Sequence, residues 1–481
     1  MTDNAGSPPL ASTIARVVAT TGSMRIGEAT CRRTTGTVDG VVDTREQVAG
    51  LTELARDGPG RYPWSAEFEV ILPEGAGDVV LVDAENRGRP TVLLALEQLS
   101  LGSGDTTPTG AVYPDGRGIG FLAEQRLGYA RVQWETGLAA GVPATAQGVG
   151  QVVVRDLGRL LTGALGAPVQ GAEGLPRFEH AILAGISQSA WFVTTLVAEG
   201  FNVDPASGDG VFAAALAVSG AGNWLALNQG AGEQSQRPYL LENGVPLSYE
   251  QVLTRPASDP LYVDVATYTD YYRLRASVTA HAARRDGVLR YDWPAPHAGP
   301  AYPDAMVFGL LGCNGGVEVP RNPIGYDPYL RTLVAGVTDV LRDGDLAALQ
   351  EPAVFDLVPP RPGATLNELP GVPLLLPAVD DDTAHPLGGV RFPDAVVPLG
   401  RPVPAALGPL STASITDVCG NWGGWQPFSA DELRARYGDV EGYLARYAAA
   451  LDAQIGTGHL RPAERERMLA RARRAFLATG A

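Results

Sequence analysis

The stretch His180-Ala-Ile-Leu-Ala-Gly-Ile-Ser187-Gln-Ser-Ala-Trp-Phe-Val-Thr-Thr-Leu-Val-Ala-Glu199 decides how this chain folds. Residues 180–185 form a short apolar run that reads as a buried strand, and residues 188–199 read as a helix ended by Gly200. Gly185-Ile186-Ser187-Gln188-Ser189 lies directly between them. A serine in such a strand-to-helix turn fits a nucleophile elbow, G-x-S-x-G, where a sharp bend lifts the hydroxyl above the sheet. The bend brings the two backbones close together, so small residues must flank the serine. Ser189 stands where the second glycine would be, and Ala190 follows. An ordinary βα turn with Ser187 as helix N-cap is the competing reading.

Working outward, further apolar runs repeat the rhythm. Residues 66–72 (AEFEVIL), 78–84 (DVVLVDA), 129–134 (YARVQW), 211–218 (VFAAALAV), 261–266 (LYVDVA) and 288–293 (VLRYDW) all have strand character. Helical patterns separate several of them, which predicts an α/β fold: a mostly parallel sheet with helices on both faces. Residues 1–60 read as a polar, irregular segment with short β-prone pieces, and 61–300 as the core unit. Residues 223–258 carry no clear period and read as an insertion over the sheet edge, a candidate lid. Residues 301–481 read as a C-terminal extension packed on the core: Pro/Gly-rich to 428 apart from a helix near 328–350, then strongly helical. Ser429-Ala-Asp-Glu432 is a capping-box pattern.

A nucleophilic serine needs a base and an acid. Where a serine follows an early strand in this way, the partners come later, acid before histidine, from loops after subsequent strands. Asp270 lies just past the strand at 261–266, and His297 just past the one at 288–293. Asp264 is the rival acid, although it falls within a strand rather than at its C-terminal end, where catalytic groups gather. His385 is the rival base. His180 begins the serine's own strand at the wrong end, His281 precedes the final strand, and His459 lies in the helical tail. Charge developing on a carbonyl oxygen also needs an oxyanion hole. The candidate donors are the N–H of Gln188 and those of the loop Asn86-Arg87-Gly88, where a plain turn is the alternative. Asn86, Trp134, Trp191, Tyr271 and Arg391, with Trp224 and Tyr268, are candidates for lining a substrate pocket, against simple core or rim packing.

Composition narrows the function classes. The formal net charge is −16, which lacks the footprint of a nucleic-acid binder and opposes anionic membranes. No apolar stretch is long enough to span a bilayer and no signal peptide is evident. Cys31, Cys313 and Cys419 are scattered and odd in number, which predicts free thiols and a cytoplasmic location. No metal-ligand spacing occurs, the acidic run 380–382 reads as a solvated loop, and no cofactor is expected.

At these residues the sequence resembles a group of bacterial α/β-hydrolase-domain proteins, a branch of the serine esterases. The resemblance covers nearly the whole chain. It rests on AENRG (84–88), GISQSAWFVTTLVAEGFN (185–202), YTD (268–270), PHAG (296–299), GGVRFPDAVVPLG (388–400) and WQPFSADELRARYGDVEGYLARY (425–447). It implies the α/β-hydrolase fold, a Ser187–His297–Asp270 triad, and inclusion of residues 298–481 in the same catalytic unit. The chain departs from the group at Ala190, where glycine is common, and in the Ala-Pro before His297. The expected activity is hydrolysis of a small-molecule carboxylic ester or lactone through an acyl-enzyme. An acyltransferase with the same triad and a non-catalytic ligand-binding relative are the alternatives. The sequence sets no oligomeric state.

Overall fold

The apolar runs assemble into one ten-stranded sheet, ordered β1-β2-β3-β5-β4-β6-β7-β8-β10-β9, in the computed structural model of the protein. The structure describes residues 12–51, 60–99, 117–225, 246–280, 284–285, 287–297, 299, 310–313, 317–360, 375–403 and 423–481. The strands are β1 (Thr13–Ile26), β2 (Ala29–Asp43), β3 (Arg61–Pro73), β4 (Val79–Asp83), β5 (Gly128–Val132), β6 (His180–Ile186), β7 (Ala214–Val218), β8 (Leu261–Thr267), β9 (Arg284–Arg285) and β10 (Val288–Trp293).

From β5 through β4, β6, β7 and β8 to β10, neighbouring strands are parallel. Parallel strands are covered on both faces and therefore read as continuous apolar runs. Alternate side chains of one strand point to opposite faces. Val80, Val82 and Leu183 join a core with the helices Val149–Thr162 and Gln188–Ala198. Val79, Leu81, Ile182 and Ala184 face the other way, onto the helices Thr91–Glu97 and Asp327–Asp343 and the C-terminal helices. The chain builds β5 on one side of β4 and then returns to lay β6 on the other. Loops leaving β4 and β6 diverge there, opening the crevice in which open α/β sheets bind ligands.

At the N-terminus the β-prone pieces expected within residues 1–60 are longer and more regular than the sequence suggested. Residues 13–43 form a long antiparallel hairpin, β1 with β2, that extends the sheet through β3. Its residues are polar because most of β1 faces solvent, so the apolar signal of a core strand is missing. The second face is closed from the C-terminal side. Arg331 in the helix Asp327–Asp343 is fully buried, donating 2.6 and 2.8 Å hydrogen bonds to the Glu464 carboxylate and one of 3.0 Å to Asp327. Its guanidinium also donates to the carbonyls of Ala95 and Leu96 at the end of the helix Thr91–Glu97. Ser429 and Glu432 exchange both capping-box hydrogen bonds ahead of the helix Ala430–Tyr437. Of the candidate lid, residues 226–245 lie outside the described residues; Ser248 caps a single turn, Tyr249–Val252, beyond them.

Candidate active site

Ser187 occupies φ 64, ψ −123 at the step from β6 into its helix. A residue with a Cβ is crowded in that region, so surrounding contacts must hold it there. Its own N–H donates to the Val218 carbonyl at 2.9 Å, tying the bend to β7. The Ser189 hydroxyl accepts from the Ile186 N–H at 2.9 Å and lies 3.0 Å from the Ile186 carbonyl oxygen. Ser189 thus closes the turn through its side chain, where a glycine would only permit it. Gly185 is required for space, because a Cβ there would sit 2.3 Å from the Ser189 carbonyl oxygen.

β8 and β10 are adjacent and in register, with Trp293 opposite Thr267. Asp270 comes three residues after Thr267 and His297 four after Trp293, so both leave the sheet at the same level. The Asp270 carboxylate accepts from the Thr267 N–H at 2.8 Å through Oδ2 and places Oδ1 2.7 Å from His297 Nδ1. The His297 N–H donates to Thr269 Oγ1 at 2.7 Å, which fixes the loop carrying the ring. His297 Nε2 lies 2.7 Å from Ser187 Oγ. Asp270 is 0% exposed and His297 2%, while Ser187 is half-buried and reachable.

The rivals are committed elsewhere. Asp264 is buried against the Arg290 guanidinium and accepts from the Tyr249 hydroxyl at 2.7 Å. His385 packs edge-on to Trp425 with Nε2 3.2 Å from the Gly400 carbonyl oxygen, and burial pushes its imidazole down to about 4. His459 is half-buried, with Nε2 3.0 Å from the Glu351 carbonyl oxygen. His281 lies outside the described residues.

The N–H groups of Gln188 and Ser189 head the helix Gln188–Ala198, where helical geometry leaves amides without intrahelical partners. The loop after β4 is a tight turn. Asn86 and Arg89 exchange main-chain hydrogen bonds of 2.8 and 3.1 Å around Arg87 (φ 52) and Gly88 (φ 72). Two left-handed central residues make it a type I′-like turn, which glycine tolerates and arginine must be held in. Asn86 is half-buried, and its Nδ2 donates to the Ile186 carbonyl at 3.0 Å, bracing the elbow.

Trp134, Trp191, Tyr268 and Tyr271 belong to the core. Trp134 is buried on Phe192 at 4.1 Å between ring centroids and donates its indole N–H to Glu85 O at 2.9 Å. Trp191 is buried and donates to Gly220 O at 3.1 Å. Tyr271 is 0% exposed, with its hydroxyl bound to Asp292 and its ring on Phe355. Tyr268 is buried between Tyr272 and Phe355, and Trp224 is half-buried. Arg391 donates to Pro386 O at 3.0 Å. The motif 388–400 around it is a structural joint: Phe392 stacks on Tyr329, and Asp394 accepts from Tyr447 and Arg471 at 3.0 and 3.1 Å.

Glu135 was passed over in the sequence. Burial pushes its carboxyl up to about 7 against the pull of the Arg87 guanidinium. Its place just past the run 129–134, at a strand's C-terminal end, is the signal that marks it. Among the described residues no group of three or more His, Cys, Asp or Glu side chains could hold a metal ion, and no helix is long and apolar enough to cross a membrane.

No curated protein matches the chain. Among solved structures, a CE15 glucuronoyl esterase from Teredinibacter turnerae is 14% identical with a TM-score of 0.33, covering 70% of this chain and 80% of that one. Esterase B from Lactobacillus rhamnosis is 13% identical with a TM-score of 0.29, covering 47% and 68%. Acetyl xylan esterase 1 from Thermoanaerobacterium sp. is 9% identical with a TM-score of 0.29, covering 60% and 81%. Residues 120–470, most of the chain, match the family described as Alpha/beta hydrolase domain, and on that match the protein belongs to the alpha/beta hydrolase domain family.

Proposed function

We propose that the protein is a serine hydrolase that cleaves a carboxylic ester or lactone through an acyl-enzyme. The observation that carries this reading is the run of two 2.7 Å contacts, Ser187 Oγ to His297 Nε2 and His297 Nδ1 to Asp270 Oδ1. In the first step His297 Nε2 takes the Ser187 proton as Oγ attacks the substrate carbonyl carbon. Asp270 accepts from Nδ1–H, which keeps Nε2 free to act as base and stabilises the imidazolium that forms. The oxyanion receives hydrogen bonds from the Gln188 N–H and from an N–H of the turn Asn86–Arg89. His297 then returns its proton to the departing alcohol, and a water, activated by the same ring, hydrolyses the Ser187 acyl ester. The strained Ser187 backbone supports the reading, because such strain collects at functional sites.

The test is a panel of p-nitrophenyl esters of graded chain length and lactones, run beside labelling with a fluorophosphonate. Turnover and labelling by the parent protein, both lost in Ser187→Ala, are the expected result. Absence of both from the parent would refute a serine hydrolase. Acyl transfer to an added alcohol at the expense of hydrolysis would make the protein an acyltransferase with the same machinery.

A further inference from the structure

Four consecutive residues at the start of the helix Tyr268–Arg273 each bond the segment that carries His297. The Tyr268 N–H donates to the Ala295 carbonyl at 3.0 Å. Thr269 Oγ1 accepts from the His297 main-chain N–H at 2.7 Å. Asp270 Oδ1 lies 2.7 Å from His297 Nδ1. The Tyr271 hydroxyl donates to the carboxylate of Asp292, which lies on β10 ahead of His297. The sequence between them is Trp293-Pro-Ala-Pro-His297. Proline has no N–H, so Ala295 and His297 supply the main-chain donors of this loop, and Thr269 takes one of the two.

Asp292 is a fixed post for the fourth contact. It is fully buried, with Oδ1 accepting from Arg290 Nε and Oδ2 from the Phe355 N–H, each at 2.9 Å. Its main chain donates to Ala353 O at 2.8 Å and accepts from the Val390 N–H at 2.9 Å. Arg290 is in turn paired with Asp264 on β8. Tyr271 therefore ties the acid's helix to a point held from β8 and from two stretches of the C-terminal extension.

We propose that Thr269 and Tyr271 are positioning residues that bind the acid's helix and the base's loop into one rigid unit, so that His297 Nε2 stays on Ser187 Oγ. This inference rests on the acyl-enzyme reading above and deepens it. The Asp270 contact alone holds the imidazole at one atom, about which the ring and its loop can pivot. Thr269 holds the main chain from which the ring hangs, and that second point stops the pivot. Tyr271 sets the height of the helix against β10, so Thr269 and Asp270 keep their places together. Both residues are buried, at 1% and 0% exposed, and act through His297 instead of on a substrate. Without the Thr269 hydroxyl the buried His297 N–H loses its acceptor, which is costly, and the loop shifts to find another. A shift of about 1 Å in a catalytic group can cost about 100-fold in rate.

The experiment compares the full-length parent with Thr269→Val, Thr269→Ser and Tyr271→Phe in turnover of a p-nitrophenyl ester at one neutral pH. Fluorophosphonate labelling is followed beside it, for both its rate and the fraction of chains labelled at completion. Thr269→Val keeps the shape and removes the acceptor, so kcat should fall by about 10- to 100-fold with KM changed by less than about threefold. Tyr271→Phe removes only the hydroxyl and should cost about 3- to 10-fold in kcat. Thr269→Ser keeps the acceptor and should recover most of the loss. Labelling should slow in step with kcat while the final labelled fraction stays that of the parent. A merely structural role would do the reverse, lowering the labelled fraction and leaving the rate of each active chain unchanged. That result would overturn the proposal, as would a Thr269→Ser variant as slow as Thr269→Val. If Thr269→Val does not fold, the rates of Tyr271→Phe decide alone. A parent protein that is neither labelled nor active fails the acyl-enzyme reading and removes this one with it. An active, labelled parent whose variants match its rates removes only this one.

Discussion

Replacing Ser187 by glycine and by alanine separates the strain of the elbow from the chemistry of the hydroxyl. At φ 64, ψ −123 the Ser187 Cβ is crowded, and such a conformation costs a non-glycine residue on the order of 1–3 kcal/mol. Glycine removes that cost but gives back about 0.5–1 kcal/mol through the greater freedom of the unfolded chain. Both substitutions discard the same 2.7 Å contact with His297, so it cancels from the comparison. The Gly185 contact with Ser189 is also common to both. The difference leaves Ser187→Gly more stable than Ser187→Ala by roughly 1 kcal/mol. For domains of about 150–250 residues that would be about 2–4 °C in Tm, and less for a longer chain, so denaturant midpoints are the sharper measure. Turnover should fall by about a million-fold in both variants, with no fluorophosphonate label. An alanine variant more stable than the glycine one would show that the elbow is not strained. Retained turnover in either would remove Ser187 from the chemistry.

Four further predictions concern other parts of the structure. His297→Ala should be as damaging to kcat as loss of Ser187, whereas His385→Ala should be mild; the opposite ranking in steady-state assays would move the base to the late motif. Because His385 is held down to about 4 in the folded state, from 6.5 in the unfolded, its contribution to stability is complete above 6.5 and is lost as pH falls through about 4. Denaturant melts should show that acid loss reduced in His385→Gln. Burial pushes the Asp83 carboxyl up to about 7 from 3.8, against hydrogen bonds from the Leu93 N–H and the Tyr129 hydroxyl. Its contribution is therefore complete below 3.8 and is lost as pH rises to about 7, and Asp83→Asn should flatten that slope. An unchanged slope would mean that Asp83 ionises freely in the fold. Truncation near residue 300 would strip the cover from Leu81, Ile182 and Val263 and should yield insoluble or unfolded protein. A soluble, cooperatively melting, active fragment of residues 1–300 would make the remainder an independent appendage.

The order of elements was legible in the sequence because a parallel strand is buried on both sides. VVLVD, HAILAGI and AALAV each carry their burial in composition alone, and the intervening helices do the same by period. Chain order singled out Ser187, Asp270 and His297 for a similar reason: each lies at a strand's C-terminal end, and the C-terminal ends of parallel strands share one edge. The hairpin of β1 and β2 was not legible as such, since a solvent-facing antiparallel ribbon needs no apolar run. Nor could sequence separate a pocket tryptophan from a core one. Trp134 and Trp191 stand near strand ends as pocket residues would, and only folding commits their indole N–H groups to Glu85 and Gly220. The anchoring of Asn86 on Ile186 joins positions 100 residues apart. Such pairings depend on which strands become neighbours, and that is set by the packing of the whole sheet, not by any local pattern of residues.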